Sequence, residues 1–190
     1  MRKWNLKFDP TAYGPAIAEI LALDQLGNRL MPLISSGCSS ARAHAALTGK
    51  QGADLFPRAP APDAALAGLW LYFSCFDESH RVAQDVHNAE GSFWHAILHR
   101  QEPDSGNAAY WFRRVGHHPI FQELCAAADQ IVGRYPEAEF RTGGKWDPFS
   151  FIMFCERASQ QPGSSSERAA LEIQRAEWQL LFDHSARPRL

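Results

Sequence analysis

The spacing of apolar residues beyond residue 62 is the feature that most constrains the fold. From Asp63 onward they recur at intervals of three and four, which places their side chains on one face of an α-helix. The first such series is Leu66, Leu69, Trp70, Phe73 and Phe76. No stretch has the apolar–polar alternation of a strand or an Asn-Gly hairpin turn. The sequence therefore predicts an all-α fold, a helical bundle that forms a single domain over residues 1–190.

Glycine, proline and capping residues predict where the helices begin and end. A first helix is expected over 11–26. Residues 27–62, rich in Gly, Ser, Pro and Ala, are expected to form a long irregular segment packed on the bundle, with a short helix in "ISSGCSSARAHAAL". The apolar stripe that starts at Leu66 continues by the same steps to His80, Ala83 or Gln84, and His87.

Further helix boundaries follow from the same residue types. Gly91-Ser92 is expected to interrupt the chain before a short helix over 93–102, and Pro103–Gly106 reads as a turn before a helix through "NAAYWFRR". Later starts are expected at Pro119 and, with Asp147 as cap, at Pro148. A last helix is expected over roughly 165–184.

Composition and charge exclude several classes of protein. The 190 residues are 45% hydrophobic, enough for a proper core, and the formal net charge of −2 gives no basic surface for nucleic acid or an acidic membrane. The start of the chain, "MRKWNLKFDP", lacks the apolar region of a signal peptide. No run reaches the ~18 apolar residues of a membrane helix. The sequence predicts a soluble, cytoplasmic protein with neither nucleic acid nor membrane as partner.

The cysteines are predicted to be small buried hydrophobic residues. They are far apart and form no CxxC pair, and a cytoplasmic chain seldom holds a disulfide. The four are Cys38, Cys75, Cys125 and Cys155.

Histidines cluster in one part of the chain, where six of the eight lie within residues 80–118. On a helix, His95, His99 and Glu102 share one edge, with neighbouring Cβ atoms ~5–6 Å apart. Two imidazoles at that spacing can bind one ion through metal–nitrogen bonds of ~2.0–2.1 Å. The pair alone is more typical of an exposed polar helix face with two solvated histidines.

Neighbouring histidines favour a metal site. His80 and His87 continue an apolar stripe and are therefore expected to point inward, toward the edge that carries His95 and His99. The predicted metal ligands are His80, His87, His95 and His99, joined by a carboxylate oxygen of Glu102 or Asp77. Nitrogen-rich ligation suits a divalent zinc, nickel or iron ion without choosing among them. A metal-dependent enzyme acting on a small molecule follows, with Glu102 and His99 as catalytic residues.

Two other functions fit the same residues. In a metal-free site, His95 or His99 would serve as acid or base and the arginines would bind a small anionic ligand. The residues expected to contact that ligand are Arg100, Tyr110, Arg113, Arg114 and His118. In a structural or interaction protein, the polar cluster would only fix the register of the helices.

The same region carries a resemblance. The stretches "SHRVAQ" and "WHAILHRQEPDSGNAAYWFRRVGHHPIF", with "WDPFSF" and "EWQLLFD" further on, resemble members of an uncharacterised family of microbial helical proteins. The resemblance spans most of the chain beyond residue 55. It implies that the histidine-rich segment is one unit, and it carries over no activity, cofactor or catalytic residue.

Overall fold

The computed structural model describes residues 8–188, and over this range the chain is helical with no strand. The all-α prediction is confirmed; the prediction about the start of the chain lies largely outside the described residues. Within them, ten α-helices occur: α1 Pro15–Leu21, α2 Ala41–Leu47, α3 Gly52–Leu55, α4 Pro62–Tyr72, α5 Phe76–Gln84, α6 Ala89–Gln101, α7 Ser105–Val115, α8 Phe121–Val132, α9 Pro148–Ser159 and α10 Ser165–Ala186. None of these helices is both long and apolar enough to cross a membrane.

Helix α4 forms the centre of the core. Every residue from Ala64 to Tyr72 is buried, because α5, α6 and α10 all pack against this helix. Gly68 permits the closest approach: a Cβ there would lie 2.5 Å from the Trp94 ring of α6. The Trp178 indole of α10 donates a 2.7 Å hydrogen bond to the Gly68 carbonyl. The apolar stripe therefore marks a helix that is buried on all sides.

The apolar stripe does not form one helix as far as His87. The chain breaks between α4 and α5, where Ser74 takes a left-handed conformation with φ of 55°. The Arg29 guanidinium stabilises the break, since it donates to the Tyr72 carbonyl and to Ser74 Oγ and so satisfies groups that the helix end leaves free. His87 falls after α5 ends and is exposed, so the expectation that it points inward is wrong.

The start of α6 also differs from the prediction. Asn88 caps this helix, with its side chain accepting a 2.8 Å hydrogen bond from the Gly91 amide, so Gly91-Ser92 lies inside the helix. Gly91 does not interrupt the helix but avoids a steric clash. A Cβ there would lie 2.2 Å from the Val86 carbonyl oxygen, so glycine lets the α5–α6 connection pass close to the helix.

Two further boundaries are corrected. The helix expected over 11–26 is three pieces: a 3₁₀ turn at Pro10–Tyr13, α1 and a 3₁₀ turn at Gln25–Gly27. Gly14, with a φ of 99°, separates the first two, and Gln25 and Leu26, with φ of 55° and 53°, are not helical. Helix α8 begins at Phe121 rather than at Pro119. The starts at Pro148 and Ser165 agree with the sequence analysis.

Residues 27–62 are tied to the helices at several points and contain α2 and α3. The Gln179 side-chain amide donates to the Gly27 carbonyl at 2.9 Å, and that of Gln174 to Met31 at 2.9 Å. The Ser35 amide donates to the Gln101 carbonyl at 2.8 Å. This segment therefore contacts both α6 and α10.

A disulfide also holds this segment. Cys38 is bonded to Cys75, the residue before α5, so the expectation of four unpaired buried cysteines is wrong for these two. The pair could not be predicted from the sequence, because Cys38 and Cys75 are 37 positions apart and form no local motif. Cys125 and Cys155 are free and buried, as expected.

Protein purified without reductant and then denatured should show two reactive thiols per chain, from Cys125 and Cys155, and four after reduction. Titration with a coloured thiol reagent measures both values. The Cys75→Ser variant should show three thiols without reduction, because Cys38 is then released. Four thiols in the unreduced native chain would contradict the disulfide.

A buried ion pair joins α6 to α10. The Arg100 side chain is 1% exposed and that of Glu177 is 0% exposed. Two guanidinium nitrogens face the carboxylate, one of them 3.3 Å from Glu177 Oε1. Gln174 accepts a further bond from Arg100 at 3.3 Å, and the guanidinium lies 4.6 Å from the centre of the Phe151 ring. Arg100 thus fixes α6 against α10 from inside the core.

Arg100→Met should lower the free energy of unfolding by about 3–5 kcal/mol, because the Glu177 carboxylate is then buried without a partner. Arg100→Met/Glu177→Leu should recover most of that loss, because both charges are removed together. Urea unfolding in the presence of a chelator measures these values. The control is Arg134→Met. Arg134 is 53% exposed and pairs with Glu172, so its loss should lower the free energy of unfolding by less than about 1 kcal/mol. The pairing would be refuted if Arg100→Met/Glu177→Leu lost as much stability as Arg100→Met and Glu177→Leu lose in total.

Candidate metal centre

Three histidines from two helices converge beside the α5–α6 connection. His95 and His99 lie one turn apart on α6, and His80 faces them from α5. His80 Nε2 and His95 Nε2 are 3.0 Å apart. The His99 ring centre lies 5.1 Å from that of His95 and 5.5 Å from that of His80. One nitrogen from each residue can be chosen so that all three lie within 4.8 Å of one another.

These separations suit one metal ion. Two nitrogens bound to an ion at 2.0–2.1 Å lie about 2.9–3.4 Å apart for bond angles between 90° and 110°. The His80–His95 separation of 3.0 Å already falls in that range. Small side-chain rotations would complete the set for the other pairs.

Glu102 sets the orientation of His99. Its Oε2 lies 2.9 Å from His99 Nδ1, and an ionised carboxylate can only accept, so Nδ1 carries the proton. Nε2 then presents its lone pair. Hydrogen bonding of this kind, from the second ring nitrogen to a carboxylate, commonly fixes metal-binding histidines. Glu102 therefore contacts His99, whereas one prediction from the sequence was that Glu102 or Asp77 would supply a ligand oxygen.

Packing fixes the orientation of His95. The residue is 4% exposed, and its ring stacks on Trp111 of α7 with ring centres 4.0 Å apart and planes 9° from parallel. Its Nδ1 is buried and has no hydrogen-bond partner among the described residues. Burial, followed by the nearby His80 and His99, lowers the pKa of His95 to about 4. His95 is consequently neutral at pH 7, as a metal ligand must be.

An open cleft of about 290 Å³ lies beside the histidines. It gives a small molecule access to His80, which forms part of its wall. The residues that line it are Phe76, Asp77, His80, Arg81, Gln84 and Glu102. Five of them lie at helical spacing in α5; of these, Arg81 was not among the residues considered from the sequence.

Other predicted site residues lie elsewhere. Arg100 is held by Glu177 in the core, and His87 is outside the histidine cluster. Tyr110 and Arg113 are exposed on α7. Arg114, also exposed, extends over the Trp111 ring at 5.3 Å and so lies next to the indole that packs on His95.

His118 belongs to a second group of polar side chains. It is 1% exposed and lies with Glu90 and His184, on the side of α6 away from His95. His184 was not part of any predicted site, because 66 positions separate it from His118 and no local pattern connects them.

No known protein family, curated protein or solved structure matches this chain. The resemblance to microbial helical proteins therefore stays a prediction, and a function has to be argued from the side chains themselves.

Acid should destabilise the metal-free native protein more than a His95→Gln variant. Between pH 6.5 and 4 the unfolded chain takes up a proton at position 95 that the folded chain does not, so the free energy of unfolding falls as pH falls. The native protein should lose roughly 2 kcal/mol more than His95→Gln between pH 7.5 and 5. Urea unfolding with a chelator present measures the difference. The exposed His117 provides the control variant, His117→Gln, which should follow the native curve; a parallel fall in His95→Gln would refute the assignment.

Proposed function

We propose that the protein binds a divalent metal ion through His80, His95 and His99 and is a metal-dependent enzyme acting on a small molecule in the adjoining cleft. The observation that supports this most is the convergence of three imidazoles whose ligand nitrogens lie within 4.8 Å. Without an ion, His80 and His95 share one hydrogen bond between their Nε2 atoms, and a bound ion would replace it with two metal–nitrogen bonds.

The donor set favours particular ions. Three neutral nitrogens suit zinc, nickel or iron(II), whereas calcium and magnesium prefer oxygen ligands. Three protein ligands leave at least one position for water or substrate, as in catalytic zinc sites. His80 forms part of the cleft wall, so that position would be accessible to a small molecule.

Roles for the surrounding side chains follow from their positions. A divalent ion with neutral ligands lowers the pKa of a bound water toward ~7. Glu102 lines the cleft and orients His99, so it would act as the positioning residue for that ligand. Arg81 and Gln84 would then contact the polar groups of the substrate.

A second candidate function uses the same cleft without a metal. Arg81 in its wall, together with Arg114 stacked over Trp111, favours binding of a small anionic ligand beside the histidines. His80 or His99 would then serve as acid or base.

A location in the cytoplasm stays a prediction, and the Cys38–Cys75 disulfide is more typical of an oxidising compartment.

Elemental analysis and zinc titration of the chelator-treated protein test the metal site. The native protein should regain a metal ion that His95→Ala/His99→Ala does not, because that variant keeps one imidazole of the three. Zinc should raise the melting temperature of the native protein by several degrees more than that of the double variant.

His87→Ala is the matched control, since it removes a nearby exposed imidazole that lies outside the cluster. It should bind zinc as the native protein does. Equal metal content and equal melting shifts in the native protein and the double variant would refute the metal site. If inorganic phosphate, and not zinc, raised the native melting temperature, the anion-binding function would be favoured instead.

A further inference from the structure

A second cluster of ligand-type side chains lies on the opposite side of α6. Glu90 precedes His95 by five residues, which places the two about 140° apart around the helix axis. Glu90 faces His118, from the α7–α8 connection, and His184, near the end of α10. This cluster shares no residue with the first.

The three ligand atoms are close enough to bind one ion. Glu90 Oε1 lies 3.2 Å from His184 Nε2 and 3.8 Å from His118 Nε2. The His118 and His184 ring centres are 4.9 Å apart, and one ligand atom per residue fits within 4.8 Å. Ligand atoms around one ion lie about 2.9–3.4 Å apart, so the first separation already fits and the second needs a rotation of the Glu90 side chain.

His118 supplies an independent observation. It is 1% exposed between Phe93 and Phe121, whose ring centres lie 5.2 and 6.0 Å from its own. Its Nε2 is buried, points toward Glu90 and has no hydrogen-bond partner among the described residues. Glu90 Oε1, at 3.8 Å, is beyond hydrogen-bond distance, and an ion bound between the two atoms would satisfy this buried nitrogen.

The ring protons of His118 would move when an ion binds. Nδ1 accepts from the Ile120 amide at 3.4 Å, a long contact that places the proton of a neutral ring on Nε2. Metal binding at Nε2 would shift that proton to Nδ1 and give up this contact. The loss is that of one weak hydrogen bond, set against a metal–nitrogen bond.

Charge and access also suit a cation. Glu90 places a carboxylate oxygen beside both imidazoles, and a carboxylate is the anionic ligand that complements a divalent cation. The side chains of Glu90 and His184 are 19% and 24% exposed, which leaves a path from solvent. His118 forms the buried base of the site.

We infer that Glu90, His118 and His184 form a second divalent-metal site, separate from the three-histidine centre. Two imidazoles and one carboxylate suit iron(II) or zinc and leave coordination positions free. A bound ion would connect the start of α6, the α7–α8 connection and the end of α10. The ion would therefore hold these three parts of the fold together and could also bind a further ligand at its free positions.

Zinc titration of the chelator-treated full chain tests this inference. Each site is expected to contribute one ion per chain. Glu90→Gln and, separately, His184→Gln should each lower the zinc stoichiometry by one equivalent. Both variants should still bind zinc at the site that contains His95 and His99. His95→Ala/His99→Ala should lose the other equivalent. If the first centre binds nothing, Glu90→Gln still lowers the stoichiometry, so the two proposals fail separately.

Histidine side-chain NMR spectra of the native protein give a readout that needs no variant. Zinc should shift the imidazole signals of His118 and His184 and leave those of the exposed neighbour His117 in place. Unchanged signals from His118 and His184 at zinc saturation would overturn the second site. So would a stoichiometry that Glu90→Gln and His184→Gln leave at the native value.

Discussion

The burial of α6 is the constraint on which the rest of the structure depends. This helix carries Glu90, His95, His99 and Arg100 and packs against α5 and α7, with α4 and α9 also in contact. Polar groups in such surroundings are stable only with partners of their own. Arg100 has Glu177 inside the core, and His99 has Glu102. We place the two metal sites at His95 Nε2, which faces His80, and at the buried His118 Nε2, which lacks a hydrogen-bond partner among the described residues.

Local spacing predicts those parts of the fold and site that lie on one helix. The shared edge of His95, His99 and Glu102 follows from their separations of four and three residues, and Asp147-Pro148 begins a helix because both residues satisfy an N-terminus. His80 was expected to face that edge and does so. The prediction for His80 is correct although the chain breaks at Ser74, because α5 packs beside α6 with His80 facing His95.

Tertiary contacts decide what the sequence could not predict. Arg29, 45 positions before Ser74 in the chain, stabilises the break that ends α4. Val86 makes Gly91 a point of close approach inside a helix, although glycine alone reads as an interruption. Arg100 resembles a ligand-binding arginine in the sequence because its partner Glu177 is 77 residues away. Arg29 and Glu177 are too distant in sequence for periodicity to reveal, whereas Val86 is only five residues from Gly91 and contacts it because of the path that the α5–α6 connection takes.

The division of the three histidines between two helices has a consequence for selectivity. His95 and His99 share one rigid backbone, which fixes their relative positions within the reach of their rotamers. His80 belongs to the nine-residue α5, which is bounded by the Ser74 break and the turn at residues 85–88. In the proposed metal site, two ligands would therefore come from one helix and the third from a separate, short helix. Ions of different radius would be accommodated by displacement of α5, and the disulfide at Cys75 limits how far the start of that helix can travel.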